Sequence, residues 1–165
     1  MTTLQRVIVG VQEADFDVSE QLARLREGLP AIGAVACFVG TVRDINQHSA
    51  VQGMALEHYP GMTEKALHGI IQQAAQRFDL ISALVIHRVG SLKPQDQIVL
   101  AACTSAHRHQ AFLGCEFIMD YLKTEAPFWK KESTDSGARW VSARETDEQA
   151  KARWQNTPLK QPAAQ

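Results

Sequence analysis

No apolar stretch of the sequence reaches the roughly 18 residues that a membrane-spanning helix needs. The first residues, MTTLQRVIVGVQ, lack the basic segment and the long apolar segment that together mark a secretory signal peptide. Positive and negative charges are nearly balanced, with a net charge of −1 at pH 7. Because general nucleic-acid binding needs a strong positive field, this balance argues against it. These absences predict a cytoplasmic globular protein without a membrane or nucleic-acid partner.

Cysteine is scarce, and no two cysteines form a Cys-x-x-Cys pair. Cys37, Cys103 and Cys115 lie far apart within apolar runs, and their odd number is typical of free thiols in a reducing compartment. We therefore expect all three in the core. His107 and His109 are two residues apart, so on a helix they point about 200° apart and cannot share a metal ion. The sequence also lacks a glycine-rich phosphate loop, so no motif predicts a metal or a nucleotide cofactor.

Length and composition are those of a single globular domain. A chain of 165 residues can bury roughly 70% of its unfolded surface, which is enough for a core without disulfides or metals. We expect one domain over residues 1–154. Residues 155–165 are polar and contain two prolines, which predicts a disordered tail.

Apolar patterns along the chain predict intermixed strands and helices, which favours an α+β fold with a mixed or antiparallel sheet. The predicted strands are 6–11, 33–42, 54–59, 83–89, 98–103 and 139–143. The predicted helices begin near 17, 62 and 106, and the last runs to about 125. The strand 33–42 is apolar at nearly every position, so both of its faces should be covered. Residues 44–50 are polar without periodicity and predict a mobile loop.

Residues 119–132, MDYLKTEAPFWKKE, join the end of an apolar helix to a proline and three lysines. Pro127 ends the helix because its ring clashes with the carbonyl of Lys123 and because it has no N–H to donate. Lys123 is therefore predicted on the last helical turn and Lys130 on an extended segment, so the two can meet only through tertiary structure. Two interpretations stay open. The lysines converge on an anionic substrate, or Lys123 stabilises a helix C-terminus while Lys130 and Lys131 are solvated.

Other basic residues lie at the ends of predicted elements. Arg43 is the first charge after the apolar strand 33–42, a place where ligands commonly gather, and is a candidate phosphate contact. His107 and Arg108 lie in the first turn of a predicted helix, where free N–H groups attract anions but the dipole disfavours cations. Solvent exposure explains these positions equally simply, so the pattern alone leaves both interpretations open.

Five blocks, in order along the chain, are similar to a known family. They are GTVR at 40–43, LEHYPGM at 56–62, HRVG at 87–90, TSAHR at 104–108 and MDYLKTEAPFWKKE at 119–132. Together they closely resemble the large, catalytic subunit of molybdopterin synthase, the MoaE family, over about residues 5–154. Five ordered blocks are far more specific than one short motif.

The resemblance implies an α/β hammerhead fold with an additional antiparallel β-sheet, in a homodimer within a heterotetramer. Each large subunit would bind a small β-grasp sulfur-carrier subunit whose C-terminal Gly-Gly ends in a thiocarboxylate. Two sulfurs would pass in turn from the carrier to cyclic pyranopterin monophosphate, making the dithiolene of molybdopterin with no metal or organic cofactor. The thiocarboxylate sulfur is itself the nucleophile, so a reactive cysteine is not required.

The resemblance also implies roles for individual residues. Lys123 is the leading catalytic residue, and Lys130 is its catalytic neighbour. The implied substrate-binding residues are Thr41, Val42, Arg43, His107, Arg108, Lys123, Lys130, Lys131 and Glu132. Lys123 would stabilise developing negative charge or move a proton, and basic residues would hold the substrate phosphate. The alternative is a non-enzymatic module that binds a small β-grasp protein or an anionic metabolite.

Overall fold

The computed structural model describes residues 3–46, 49–134, 137–141 and 145–156. The strands are β1 (Arg6–Gln12), β2 (Ala34–Thr41), β3 (Ile45–Asn46), β4 (Ser49–His58), β5 (Ser82–Arg88), β6 (Gly90–Leu92), β7 (Gln97–Ser105), β8 (Phe128–Thr134) and β9 (Gly137–Val141). The helices are α1 (Val18–Arg26), α2 (Met62–Arg77), α3 (Arg108–Glu125) and α4 (Glu145–Ala152), and a 3₁₀ turn follows at Arg153–Asn156. Helices and strands intermix along the chain, so the predicted α+β class is confirmed.

The first sheet has the strand order β1-β5-β7-β2. β1 and β5 run parallel, whereas β7 is antiparallel to both β5 and β2. The predicted strands 83–89 and 98–103 pair with each other, because Leu84 of β5 lies opposite Ala102 of β7. β2 is the last strand in this order, so one of its edges is unpaired within the described sheet.

The second sheet is antiparallel, with the order β3-β4-β8-β9 and with β6 also paired to β4. The chain after Pro127 is extended, as predicted, and forms β8 beside β4. β5 of the first sheet ends at Arg88, and β6 of the second begins at Gly90, whose φ of 82° makes the turn. This short connection fixes the two sheets against each other, and the additional antiparallel sheet is confirmed.

Helices α2 and α3 contribute the helical side of the main core. Phe117 of α3 is fully buried and stacks on Tyr121, with ring centroids 4.3 Å apart. Trp154, from the 3₁₀ turn after α4, packs edge-on against both Phe78 and Phe117. The C-terminal part of the described chain therefore holds the end of α3, which carries Lys123.

Helices α1 and α3 begin differently. Asp17 caps α1 as its sequence predicts, because its Oδ1 accepts a hydrogen bond from the N–H of Glu20 at 2.9 Å. Thr104 and Ser105, the polar residues before α3, do not cap it. The Ser105 hydroxyl instead donates to the Asp79 carbonyl at 2.6 Å, and His107 occupies the cap position with extended backbone.

The prediction that both faces of strand 33–42 are covered is wrong for a single chain. Val35 and Phe38 of β2 are 36% and 42% exposed, and Cys37 is exposed as well. The physical reason is that β2 lies at the edge of its sheet, where the chain's own helices leave part of it open to solvent. Cys103 and Cys115 are buried, as expected.

The segment predicted as a mobile loop, 44–50, contains ordered pairing. Ile45–Asn46 forms β3, which pairs with the start of β4, and residues 47–48 lie outside the described residues. The strand predicted at 139–143 is β9, which begins earlier, at Gly137, and is described as far as Val141. Helix α4 was not predicted.

The predicted tail lies mostly outside the described residues, which end at 156, so the domain boundary at 154 stays a prediction. None of the helices in the described ranges is long and apolar enough to cross a membrane.

Candidate functional site

A cavity of about 560 Å³ opens where the two sheets meet the C-terminal end of α3. Strands β2, β5 and β7 contribute from the first sheet, and β4 and β8 contribute from the second. The apolar part of its lining includes Phe38, Met54, Leu56, Leu122 and Phe128. Charged side chains from three further elements reach the same space, so this cavity is the candidate site.

Lys123 reaches the cavity because of where α3 ends. The helix closes with the Ala126 N–H donating to the Leu122 carbonyl at 3.4 Å, and Pro127 then turns the chain into β8. Lys123 is therefore in the last helical turn, as predicted, where a cation favours the negative end of the helix dipole. It is exposed and lines the cavity.

β8 brings Lys130 to the same cavity through strand alternation. Phe128, Lys130 and Glu132 line the cavity, since side chains two residues apart share one face of a strand. Trp129 and Lys131 alternate to the opposite face and are exposed. The tertiary meeting of Lys123 and Lys130, which their spacing could not establish, is thus present.

The cavity contains more positive than negative groups. Arg43, Lys123 and Lys130 face the carboxylates of Glu132 and Asp147 around its wall. Glu132 is only 2% exposed, so it is a charge held in the wall of the site. The three basic side chains outnumber the two acidic ones, so the cavity suits a small anion.

A buried histidine lies within this charged group, and sequence reasoning did not find it. His87 ends strand β5, lines the cavity and is 6% exposed. The pKa of the imidazole is lowered from 6.5 to about 4, mainly by burial, and the positive charges of Lys123 and Lys130 contribute to the decrease. His87 is therefore neutral at physiological pH. The sequence signals were the place of His87 in the block HRVG at 87–90 and a polar ring at the end of an apolar strand, which is also typical of a structural histidine.

Residues 41–43 lie together at the end of β2, but they point to different places. Thr41 and Arg43 line the cavity. Val42 is 3% exposed and packs in a small core with Met54, Leu56, Val89 and Leu92. Its N–H donates to the Asp96 carbonyl at 2.9 Å, and its carbonyl accepts from the Gln95 N–H at 2.9 Å. Val42 thus fixes the position of its neighbours rather than lining the cavity.

His107 and Arg108 lie at a second, more open concavity of about 600 Å³, together with Gly33 and Phe112. Lys123 follows Arg108 by fifteen residues of one helix, which is roughly 22 Å of helical rise. Strand β2 separates the two groups in the same way. Its first residue, Ala34, pairs with Ser105, which is close to His107, and its last residue, Thr41, is close to Arg43. A single chain therefore does not bring His107 and Arg108 together with Arg43 and Lys123.

Gly33 forms the floor of the second concavity through a close approach of two backbones. A Cβ atom on Gly33 would lie 2.2 Å from the Ala106 carbonyl oxygen. The Gly33 N–H donates to the Ser105 carbonyl at 3.0 Å, which holds the two segments together. The absence of a side chain at Gly33 thus sets the position of the residues immediately before α3.

Within the described ranges, no group of three or more His, Cys, Asp or Glu side chains is arranged to hold a metal ion. The chemical resources of the main cavity are therefore a set of cations, two carboxylates and a neutral imidazole.

Comparison with known proteins gives a consistent result. Residues 11–125 match the model of a family described as "MoaE protein". That match includes Lys123 and ends before Lys130. A protein of Ralstonia nicotianae, named molybdopterin synthase catalytic subunit, is 68% identical over 146 residues, which are 88% of this chain and 83% of that protein.

Solved structures extend the likeness to the fold. The chain is similar to the molybdopterin biosynthesis MoaE protein from Burkholderia ambifaria, with a TM-score of 0.79 and 56% identity over 90% of this chain and 98% of the other. It is also similar to a chain in the crystal structure of molybdopterin synthase from Staphylococcus aureus, with a TM-score of 0.74 and 27% identity over 81% and 96% of the two chains.

Proposed function

The chain belongs to the MoaE family, and from this premise we propose that it is the catalytic subunit of a molybdopterin synthase, a sulfurtransferase of molybdenum cofactor biosynthesis. Its partner is a small β-grasp sulfur carrier with a C-terminal Gly-Gly thiocarboxylate. Its substrate is cyclic pyranopterin monophosphate, which receives two sulfurs in turn. A cytoplasmic location belongs to the same proposal and is supported by the three free cysteines.

The observation that carries the proposal is the 68% identity to a molybdopterin synthase catalytic subunit over 88% of the chain. It is combined with a cavity lined by Lys123 and Lys130, the two lysines to which the family resemblance assigns a catalytic role. Relatives at this level of identity share the backbone that positions α3 and β8. Lys123 and Lys130 then face a space that suits an anionic pterin and the end of an extended peptide.

The proposed chemistry uses the groups of the cavity without a reactive cysteine. The thiocarboxylate sulfur attacks a carbon of the pterin side chain and displaces an oxygen substituent. Water then hydrolyses the acyl–sulfur bond, which leaves the sulfur on the pterin and a carboxylate on the carrier. Lys123 and Lys130 stabilise the negative charge that develops as these intermediates form and break. Proton transfer by Lys123 is the alternative form of the same role. Arg43 supplies a planar guanidinium that suits a phosphate or carboxylate oxygen pair.

A second copy of the chain would complete the site. If two β2 strands lie side by side about a twofold axis perpendicular to them, they run antiparallel, so the Ala34 end of one lies near the Thr41 end of the other. His107 and Arg108 of one protomer would then approach Arg43 and Lys123 of its partner. Phe38 supports this arrangement, because it is 42% exposed on β2 and also lines the main cavity.

The test is reconstitution from purified components. The protein is mixed with a thiocarboxylated β-grasp carrier and cyclic pyranopterin monophosphate, and the dithiolene product is measured together with the affinity for the carrier. Product formation supports the proposal. Tight carrier binding without product would instead indicate a non-enzymatic binding module.

A further inference from the structure

His87 is a neutral imidazole placed at the end of a buried row of side chains. Ala83 and Val85, on the same face of β5, are fully buried, and His87 follows them toward the end of α3. A ring that only filled space here would be matched by phenylalanine or leucine. The polar atoms of His87 therefore need their own explanation.

Two contacts fix the ring of His87. Its Nδ1 lies 2.8 Å from the Arg88 carbonyl oxygen, and since a carbonyl only accepts, Nδ1 carries the proton. The ring also stacks on Phe128, with centroids 3.9 Å apart and planes inclined by 20°. The tautomer and the ring plane are both set, so Nε2 carries a lone pair in a defined direction.

The remaining nitrogen, Nε2, opens toward the cavity. Among the described residues, the one buried side-chain nitrogen or oxygen without a hydrogen-bond partner is Nδ1 of His58, so Nε2 of His87 is not sealed in the core. His87 also contributes to the cavity wall. An unprotonated nitrogen is thus presented to the space where the lysines lie.

The charges around His87 come from several elements. Lys123 of α3, Lys130 of β8 and His58 of β4 all act against protonation of the ring. Arg43, Glu132 and Asp147 are the other charged side chains of the same cavity wall. Burial is the largest of the causes that keep the ring neutral, and the Arg88 carbonyl opposes it only partly.

A neutral acceptor beside an ammonium group has a definite physical consequence. The lone pair attracts and orients an N–H of the lysine, and because the imidazole carries no charge it leaves the positive charge of the lysine intact. A carboxylate in the same place would neutralise the lysine and weaken its attraction for an anion. The arrangement therefore suits a lysine that must be held in place while remaining cationic.

We propose that His87 is a positioning residue for Lys123: its Nε2 accepts a hydrogen bond from the Lys123 ammonium and holds that cation over the reacting atoms during sulfur transfer. No proton is transferred between the two side chains in this step, since Lys123 remains an ammonium and His87 remains a neutral imidazole. Lys123 is selected because its ammonium lines the same cavity as Nε2 and, among the described residues, makes no hydrogen bond or ion pair of its own. The inference rests on the proposed function.

Kinetics of three variants in the reconstituted complex test the inference. His87→Phe keeps the stack on Phe128 but removes the acceptor, and should lower kcat about 10- to 100-fold, as loss of a charge-assisted hydrogen bond does, with KM and carrier affinity nearly unchanged. His87→Gln places an amide oxygen near the position of Nε2 and should recover most of the loss. His58→Phe is the matched control, since His58 lies opposite Phe128 on β4 but does not line the cavity, and it should retain wild-type kcat.

The outcomes separate the inference from the proposed function. If the wild-type complex makes no dithiolene product, the proposed function fails. If the wild type is active and His87→Phe matches it, or if His87→Phe and His58→Phe lose activity equally, the positioning role is wrong and the proposed function stands.

A second measurement keeps the inference testable if His87→Phe does not fold. Ring nitrogen NMR of the wild-type protein should show the proton of His87 on Nδ1. Lys123→Met should raise the pKa of His87, because an ammonium group that opposes protonation of the ring is removed, whereas Lys65→Met on α2 should leave it unchanged. A proton on Nε2, or no response to Lys123→Met, would overturn the proposal.

Discussion

Arg108 and Lys123 stand at opposite ends of the same helix, α3, and fifteen residues of helical rise keep them roughly 22 Å apart. A metabolite of pterin size cannot touch both within one chain. If both serve the same substrate, as the family resemblance implies, each active site must take its Arg108 from one protomer and its Lys123 from the other.

This division predicts complementation between two inactive variants. Arg108→Ala and Lys123→Ala should each have little activity alone. In a mixed dimer, one site has both defects and the other has neither. With random pairing, half of the dimers are mixed, so an equal mixture refolded or coexpressed should recover about a quarter of wild-type product formation. No recovery, with mixed dimers demonstrated by differential tagging, would show that both residues do not serve one shared site.

Lys123→Ala should abolish dithiolene formation while the protein stays folded and binds its carrier. The lysine is exposed on the last turn of α3, so its removal takes no side chain from the core. Product formation is measured by single turnover, and folding by thermal unfolding. Lys65→Ala is the control, because Lys65 is exposed on α2 and lies outside the cavity lining. Normal turnover by Lys123→Ala would remove Lys123 from the mechanism.

Gly33→Ala should destabilise the protein by about 1–3 kcal/mol or more, since the new Cβ would lie 2.2 Å from a backbone oxygen that cannot rotate away. Gly69→Ala is the matched control. Nothing lies within 4 Å of a Cβ at Gly69, and the position is inside α2, so the substitution should stabilise by about 0.5–1 kcal/mol. Denaturant unfolding measures both. Equal stability of the two variants would contradict the close approach of Gly33 to Ala106.

Acid should destabilise the folded chain partly through His87. Its pKa is about 4 when folded and 6.5 as the ordinary value, so between these pH values the unfolded chain binds a proton that the folded chain does not. The free energy of unfolding therefore falls as the pH decreases through this window, by up to about 3 kcal/mol from this group. Between pH 6.5 and 4, the free energy of unfolding of His87→Phe should therefore fall by that much less than the free energy of unfolding of the wild type. Parallel stability curves for the two proteins would show that His87 is not held neutral.

Local signals in the sequence predicted the elements that local chemistry decides. Asp17 caps α1, and Pro127 ends α3, because each effect depends on residues within one helical turn. The additional sheet was available only through the family resemblance, whereas Arg43, Lys123 and Lys130 were candidates from the residue pattern as well. The spacing of Lys123 and Lys130 in the sequence could not predict that they line one cavity, because β8 reaches that cavity by pairing with a distant strand, β4.

Other features could not be read from local patterns for identifiable reasons. The exposure of Phe38 depends on which strand lies at the sheet edge, and an apolar run does not reveal that. His87 resembles any core histidine until the neighbouring lysines are placed in space. Helix α4 has the sequence ETDEQAKA, which lacks an apolar stripe at helical spacing, so its formation depends on packing against α3.

Trp154 predicts that the described C-terminal segment stabilises the domain. Its side chain is 5% exposed and packs against Phe78 and Phe117, and its indole N–H donates to Asp120 Oδ2 at 2.7 Å. Trp154→Ala should therefore cost about 3–5 kcal/mol in the free energy of unfolding. Because Asp120 lies one turn before Lys123 on α3, the variant should also lower turnover at temperatures where it remains folded.

Trp129→Ala is the matched control for this truncation. Trp129 is 39% exposed and meets Tyr59 edge-on at the surface, so the same loss of an indole should cost distinctly less. Chemical denaturation of the two variants beside wild type makes the comparison. If the two variants were equally stable, or Trp154→Ala the more stable, the 3₁₀ turn would not belong to the core. The end of α3 would then have to be held by the first sheet and α2 alone.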